Sequence, residues 1–254
     1  MLKTLTSKPS AAGQERLLAV KYDPLFTADW NRVLMLHYEV DANVLQPFVP
    51  FELDLRDGKA YVSLVAFTMQ DLTPQYGGNV AKRLFKPMAT HEFLNVRTYV
   101  KHRGEPGIYF LAEWLPNLLS VALGRPIFGL PYRWGKLHYE HAHEEGFIKG
   151  EVTSATRQGS LKYRADLAGR FSACEADSVT EFLMERYTAF TDWRGWKRLF
   201  RIWHRPWQQC AVDVDIAENT LMPLAGTWAH AAKYIGANYS PGAPAVWMGR
   251  PLKA

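Results

Sequence analysis

Short apolar runs, separated by clusters of Gly, Pro and polar residues, dominate the chain and predict strands rather than long helices. Residues 32–40 (RVLMLHYEV) read as a buried strand. Asp41 is placed to cap a short helix through Val44 and Leu45, ended by Pro47 and Pro50. Asp57-Gly58 signals a tight turn between strands at 52–55 and 60–69. Residues 72–89, rich in Gly, Pro and polar side chains, read as a mobile loop. Strands follow at 92–101 and 108–114, with a turn at 104–107 between them. A helix is expected from Leu118 to Leu123, stopped near Gly124 and Pro126. Residues 132–140, 147–156 and 161–167 continue as strands. Ser178-Val179-Thr180-Glu181 has the spacing of a capping box and should start a helix to about Tyr187.

The stretch FTDWRGWKRLFRIWHRPWQQC has two readings. Trp193, Trp196, Phe200 and Trp203 fall at helical spacing and would suit an amphipathic membrane or nucleic-acid helix. The turn signal at 192–195 and the alternation of Arg201, Trp203 and Arg205 with Phe200, Ile202 and His204 favour a hairpin with one basic face. Residues 1–20 read as a polar tail. Without repeats or a clear linker, residues 21–254 make one many-stranded domain.

Composition agrees with a filled core, since 48% of the residues are hydrophobic and 22% charged. The net charge of +5 is spread along the chain and supports only a mild attraction for anions. Cys174 and Cys210 form no metal or redox spacing. The N-terminus lacks the apolar run of a signal peptide, and no stretch reaches the roughly 18 apolar residues that span a bilayer. A cytoplasmic protein is expected, with a small-molecule partner and neither nucleic acid nor membrane. Homo-oligomerisation is left open.

Several stretches carry a family resemblance. They are Asn95-Val96-Arg97-Thr98-Tyr99-Val100, Pro106-Gly107-Ile108-Tyr109-Phe110, Gly129-Leu130-Pro131-Tyr132, Glu185-Arg186-Tyr187-Thr188, His204-Arg205-Pro206-Trp207 and Asn238-Tyr239-Ser240-Pro241-Gly242. Through them the chain resembles the DUF2071, or YqjF-like, family, a branch of the acetoacetate decarboxylase-like superfamily. The resemblance implies an α+β, predominantly β fold: a cone-shaped antiparallel β-barrel with a few short helices and a pocket. It implies no substrate. Glu113-Trp114-Leu115-Pro116 departs from the small residues usual in the family there, which alters one pocket wall.

Acetoacetate decarboxylase works through a lysine that follows a proline and attacks a carbonyl as a neutral amine. Here the corresponding Pro131 is followed by Tyr132 and Arg133. A phenol forms no imine and a guanidinium stays protonated, so Schiff-base chemistry at this position is excluded. Lys136 shares strand parity with Tyr132 and is a substitute nucleophile; its plainer role is a solvated strand end. Glu92, in the place of a superfamily carboxylate, would move protons if sunk among Phe93, Leu94 and Val96. A satisfied carboxylate at a loop–strand junction is the plainer reading. Arg97 has the opposite parity, so the two residues cannot both face the interior of a regular strand.

Arg32 resembles the superfamily arginine that holds a substrate carboxylate, and Arg133 is the alternative anchor. Trp207 would line the pocket beside His204. Alternation splits His138 from His141 and His143, so the histidine run forms no metal site, and no cofactor motif occurs. The expected function is a small-molecule enzyme or binding protein with a pocket for an anionic ligand, keto acids being the class considered. Glu92, Tyr132 and Lys136 would be the catalytic groups and Arg32, Arg133 and Trp207 the binding groups. The chemistry would be of lyase or isomerase type by acid–base catalysis. A non-catalytic ligand-binding barrel is the alternative.

Overall fold

Side-chain alternation along the Phe26–Val40 strand divides its apolar residues between two cores. Val33 and Met35 join one core, while Leu34, Leu36 and Tyr38 join the other. The same division runs round a closed ring of seven strands in the computed structural model, which describes residues 7–254. Phe26–Val40 pairs with Ala60–Pro74, which pairs with His91–His102 and then Glu105–Leu115. The ring continues through Thr188–Trp193, Trp196–Trp203 and Lys233–Met248 back to the first strand. Six seams are antiparallel, and the seam between Glu105–Leu115 and Thr188–Trp193 is parallel. Closure leaves the ring without an edge strand and gives it an interior. All seven strands contribute side chains to that interior core.

Four further strands, Tyr132–Ala142, Phe147–Ser154, Ser160–Asp166 and Asp215–Asn219, extend the sheet outward from Glu105–Leu115. They cover the outer face and enclose the second core around Trp114 and Trp228. The fold is the predominantly β barrel with a few short helices that was expected.

Local signals mostly hold. Asp41 accepts from the Asn43 amide at 2.7 Å and starts Ala42–Leu45. Asp57 and Gly58 both have positive φ, at 53° and 76°, in the turn between Arg56 and Lys59. Trp193 lies opposite Trp196, so the aromatic stretch is a hairpin and not a helix.

Four expectations are corrected. Within the stretch read as a tail, Lys8–Leu18 is a helix that buries Leu17 and Ser10 against the barrel; residues 1–6 lie outside the described residues. Trp203 donates its indole N–H to the Ser10 carbonyl at 3.2 Å, a contact no local pattern announces. The stretch 72–89 is no loop throughout: Gly78–Phe85 is helical, anchored by Phe85 packing on Phe26 with ring centroids 5.1 Å apart. Leu118–Phe128 runs past Gly124 and contains Pro126, ending at Gly129 with φ 75°. Val179–Met184 stops earlier than Tyr187; Ser178 caps the Glu181 amide at 3.0 Å, but the Glu181 carboxylate accepts from Asp177 and not from Ser178.

Candidate functional site

One end of the barrel interior holds a cavity of about 220 Å³. Its wall is mainly aromatic and aliphatic, with Phe26, Trp30, Phe67, Phe93 and Phe110 from the ring strands. The Leu118–Phe128 helix and residues Phe85 and Met88 close over it. Into this apolar space face Asn95, Glu113, Tyr132 and His91.

Three of these four form a row across adjacent strands. Asn95 lies directly opposite Glu113, and Glu113 directly opposite Tyr132. Direct cross-strand partners on one face are in side-chain reach of each other. Glu113 faces inward because of a bulge. Val96 pairs with Ala112 whereas Arg97 pairs with Phe110, so Leu111 is an extra residue in its strand. Phe110 belongs to the interior core and Leu111 and Ala112 to the outer one. Had alternation run unbroken from Phe110 through Leu111, Glu113 would have pointed away from the cavity.

Gly124 fixes Tyr132 from above. A side chain there would overlap the Tyr132 ring, so the helix can close on the phenol only with glycine at this position.

Burial sets the charge states. Glu113 is 3% exposed, and desolvation holds its carboxyl well above the usual carboxylate range, favouring the neutral acid. Burial, and then the neighbouring Glu113, push the Tyr132 phenol up. Burial lowers His91 to about 4, offset only in part by the Met88 backbone, so its imidazole is neutral at pH 7. Asn95 Oδ1, Glu113 Oε1 and both ring nitrogens of His91 lack a well-formed hydrogen-bond partner within the protein. A buried polar atom without a partner costs about 1–3 kcal/mol, and the three residues that carry these four atoms all line one cavity. No Lys or Arg lines the cavity among the described residues.

Of the residues picked from the sequence, only Tyr132 lines this cavity. Glu92 has the opposite parity from His91, Phe93 and Asn95 and lies on the outer side, where its charge acts on Tyr139. Arg97 is the inward one of that pair: it is buried and donates to the Leu183 carbonyl at 3.1 Å. Lys136 is exposed, which corrects its candidacy as a buried nucleophile. Arg32 is also exposed, at a left-handed φ of 57° in an irregular stretch of its strand, and holds nothing in the cavity. Arg133 points away from Tyr132, its guanidinium 5.1 Å from the Trp114 ring centroid and donating to the Leu224 carbonyl at 2.6 Å. Trp207 stands one layer behind the wall, stacked on Trp30 and donating its indole N–H to the Met184 carbonyl at 3.0 Å.

In the histidine run, His141 is fully engaged: Nδ1–H donates to the Arg32 carbonyl and Nε2 accepts from the Tyr163 hydroxyl, both at 2.7 Å. From the sequence, Glu113 was marked only within a stretch that alters one pocket wall and Asn95 only within a family motif; neither they nor His91 were given a role. Glu113 did leave a signal, as a lone carboxylate within the apolar run IYFLAEWL.

Comparison with known proteins places the chain. The family model of DUF2071, "Uncharacterized conserved protein (COG2071)", matches residues 27–244. The chain belongs to the DUF2071 family. The uncharacterized protein YqjF of Bacillus subtilis (strain 168) is 30% identical over 200 residues, 78% of this chain and 80% of YqjF. Among solved structures, an acetoacetate decarboxylase-like enzyme from Sphingomonas wittichii RW1 superposes with TM-score 0.62 at 16% identity, covering 91% of this chain and 94% of its own. The enduracididine biosynthesis enzyme MppR, complexed with pyruvate, matches with TM-score 0.62 at 15% identity over 92% of each chain. At such identities the likeness is one of fold, and the fold of this DUF2071 chain is the acetoacetate decarboxylase-like one.

Proposed function

We propose that this DUF2071 protein is a small-molecule enzyme that enolises an uncharged oxo compound inside the barrel. The observation that carries the reading is the convergence of Glu113, Asn95 and His91, each with an unpartnered polar atom, on one apolar cavity. A ligand carbonyl would accept the Glu113 O–H bond, with the Asn95 amide and the Tyr132 phenol orienting it. His91, the nitrogen base of the wall, would take a proton from the adjacent carbon as Glu113 gives its own to the oxygen. The enol, an imidazolium and a carboxylate result, and returning both protons resets the site. Burial makes His91 a weak base, but an ionised Glu113 lining the same low-dielectric cavity would raise its basicity. Sharing one low-dielectric space therefore favours the paired transfer.

This differs from the expected anionic ligand. A carboxylate entering a cavity with no cationic wall would pay its desolvation unpaired. MppR is described with pyruvate bound, so the fold admits oxo compounds, but Arg32 and Arg133 lie outside this cavity.

The test follows exchange of the carbon-bound protons of neutral ketones in D2O by NMR. Catalysed exchange in the native protein, lost by at least a hundredfold (about 2.7 kcal/mol) in Glu113→Gln, supports the reading. Saturable binding without exchange would instead favour a ligand-binding barrel, for which the absence of Lys and Cys from the cavity lining among the described residues speaks. Ligands that are all carboxylates would sink the uncharged class.

A further inference from the structure

The two helices that close the cavity are unusual on their outer side. Val80 and Leu84 of Gly78–Phe85 are 71% and 69% exposed. On Leu118–Phe128, Leu118, Leu119, Leu123 and Ile127 are also exposed, at 38–60%. The two helices meet at one rim, because Phe85 of the first and Phe128 of the second both pack on Phe26, at 5.1 and 6.3 Å. Exposed apolar side chains scattered singly need no explanation, but six on adjoining helices do.

Their charge is one-sided. Lys82, Arg83, Lys86 and Arg125 are exposed on the same two elements and the turn between them and the barrel. No Asp or Glu occurs from residue 72 to 91 or from 114 to 139. Leu123 and Ile127 belong both to this face and to the cavity wall, so the apolar surface and the cavity are continuous.

We infer that this face docks on an anionic bilayer surface and that the cavity draws an uncharged, lipid-dissolved ligand from it. Apolar residues flanked by cations are what inserts at the headgroup boundary. A second copy of the chain fits less well, since a two-fold contact sets each patch, with its four cations, against its own image. The docking stands on the exposed face alone; what happens to the ligand afterwards rests on the function proposed above.

The experiment is co-sedimentation of the full chain with phosphatidylcholine vesicles, with and without phosphatidylserine. Binding should require phosphatidylserine. It should fall on the order of a hundredfold in the triple variant Lys82→Gln/Arg83→Gln/Lys86→Gln. Val80→Gln/Leu84→Gln should weaken it by on the order of tenfold or more. Both variants change exposed side chains only, and unchanged melting curves verify their folding. No sedimentation, or sedimentation that ignores phosphatidylserine, overturns the proposal. So does a concentration-dependent dimer that Val80→Gln/Leu84→Gln dissolves without any vesicle binding. Because sedimentation requires no turnover, its failure is separate from failure of the exchange assay, which uses soluble ketones and Glu113→Gln.

Discussion

The two ends of the barrel interior are built from the same strands, yet they treat polar side chains in opposite ways. At the end closed by Val179–Met184, polar groups are partnered. His37 bonds Ser63 at 2.8 Å and Asn238 at 3.1 Å, and Tyr99 donates to the Leu183 carbonyl at 2.9 Å. Arg186 pairs with Asp54 at 2.6 Å, and Glu185 accepts from the Trp207 amide at 2.8 Å. Arg97 Nε is left over there, but its terminal nitrogen caps the last turn of the helix through Leu183. At the cavity end, Asn95, Glu113 and His91 each keep a polar atom without a partner in the protein and line the cavity. A partnered network fixes a structure; unpartnered groups around a cavity hold stability in reserve for something that binds.

Substitutions should expose this contrast. Counted per group, the largest effect is expected from Asp54→Ala, which leaves the Arg186 guanidinium buried without its carboxylate. Urea unfolding should show a loss of about 3–5 kcal/mol. A loss below about 1 kcal/mol would mean that the closed end is not held by its ion pair.

Acidification comes next. Burial lowers His37 to about 3 and His91, His141 and His204 to about 4. The unfolded chain binds protons near pH 6.5 that these imidazoles refuse when folded. Stability is therefore full above that pH and falls as pH drops from about 6.5 toward 4, by about 1–2 kcal/mol per histidine between pH 7 and 5. Histidine NMR titration distinguishes the two ends: a cavity ligand should shift the His91 resonance and leave that of His37 in place.

The smallest effect has the opposite sign. Glu113→Leu removes an unpartnered buried acid, so at about pH 4, where folded and unfolded chains both hold its proton, the protein should become more stable by about 1 kcal/mol, and it should lose activity. The raised pKa of Glu113 gives a second readout. The folded state keeps a proton that the unfolded state releases above pH ~4.3, so this group costs stability as pH rises toward its folded pKa, and Glu113→Leu should flatten that slope. Destabilisation in this variant would return Glu113 to a structural role.

Part of the molecule was legible from the chain alone. Asp41, Asp57-Gly58 and the 192–195 turn signalled correctly because each acts through backbone geometry within a few residues. The motifs pointing to a barrel of the acetoacetate decarboxylase type, and Tyr132 in its cavity, were also readable. The helix at Gly78–Phe85 was not. Its support comes from Phe26, far away in sequence, against local Gly and Pro signals.

The candidate site was mostly hidden for a related reason. Whether Glu92 or its neighbour His91 faces inward is a matter of one residue of parity, and pairing partners decide it. The bulge at Leu111, which turns Glu113 into the cavity, is a property of two strands together and leaves no mark in either one. The sequence by itself determined most of the strands up to the hairpin at 188–203, several of the turns between them, and that no imine can form at Tyr132, since side-chain type and local backbone preference suffice for these; it did not announce Lys233–Met248. Only the tertiary structure decided which polar residues share a buried space, because ring closure and register, set by contacts between distant segments, choose the face that each strand turns inward.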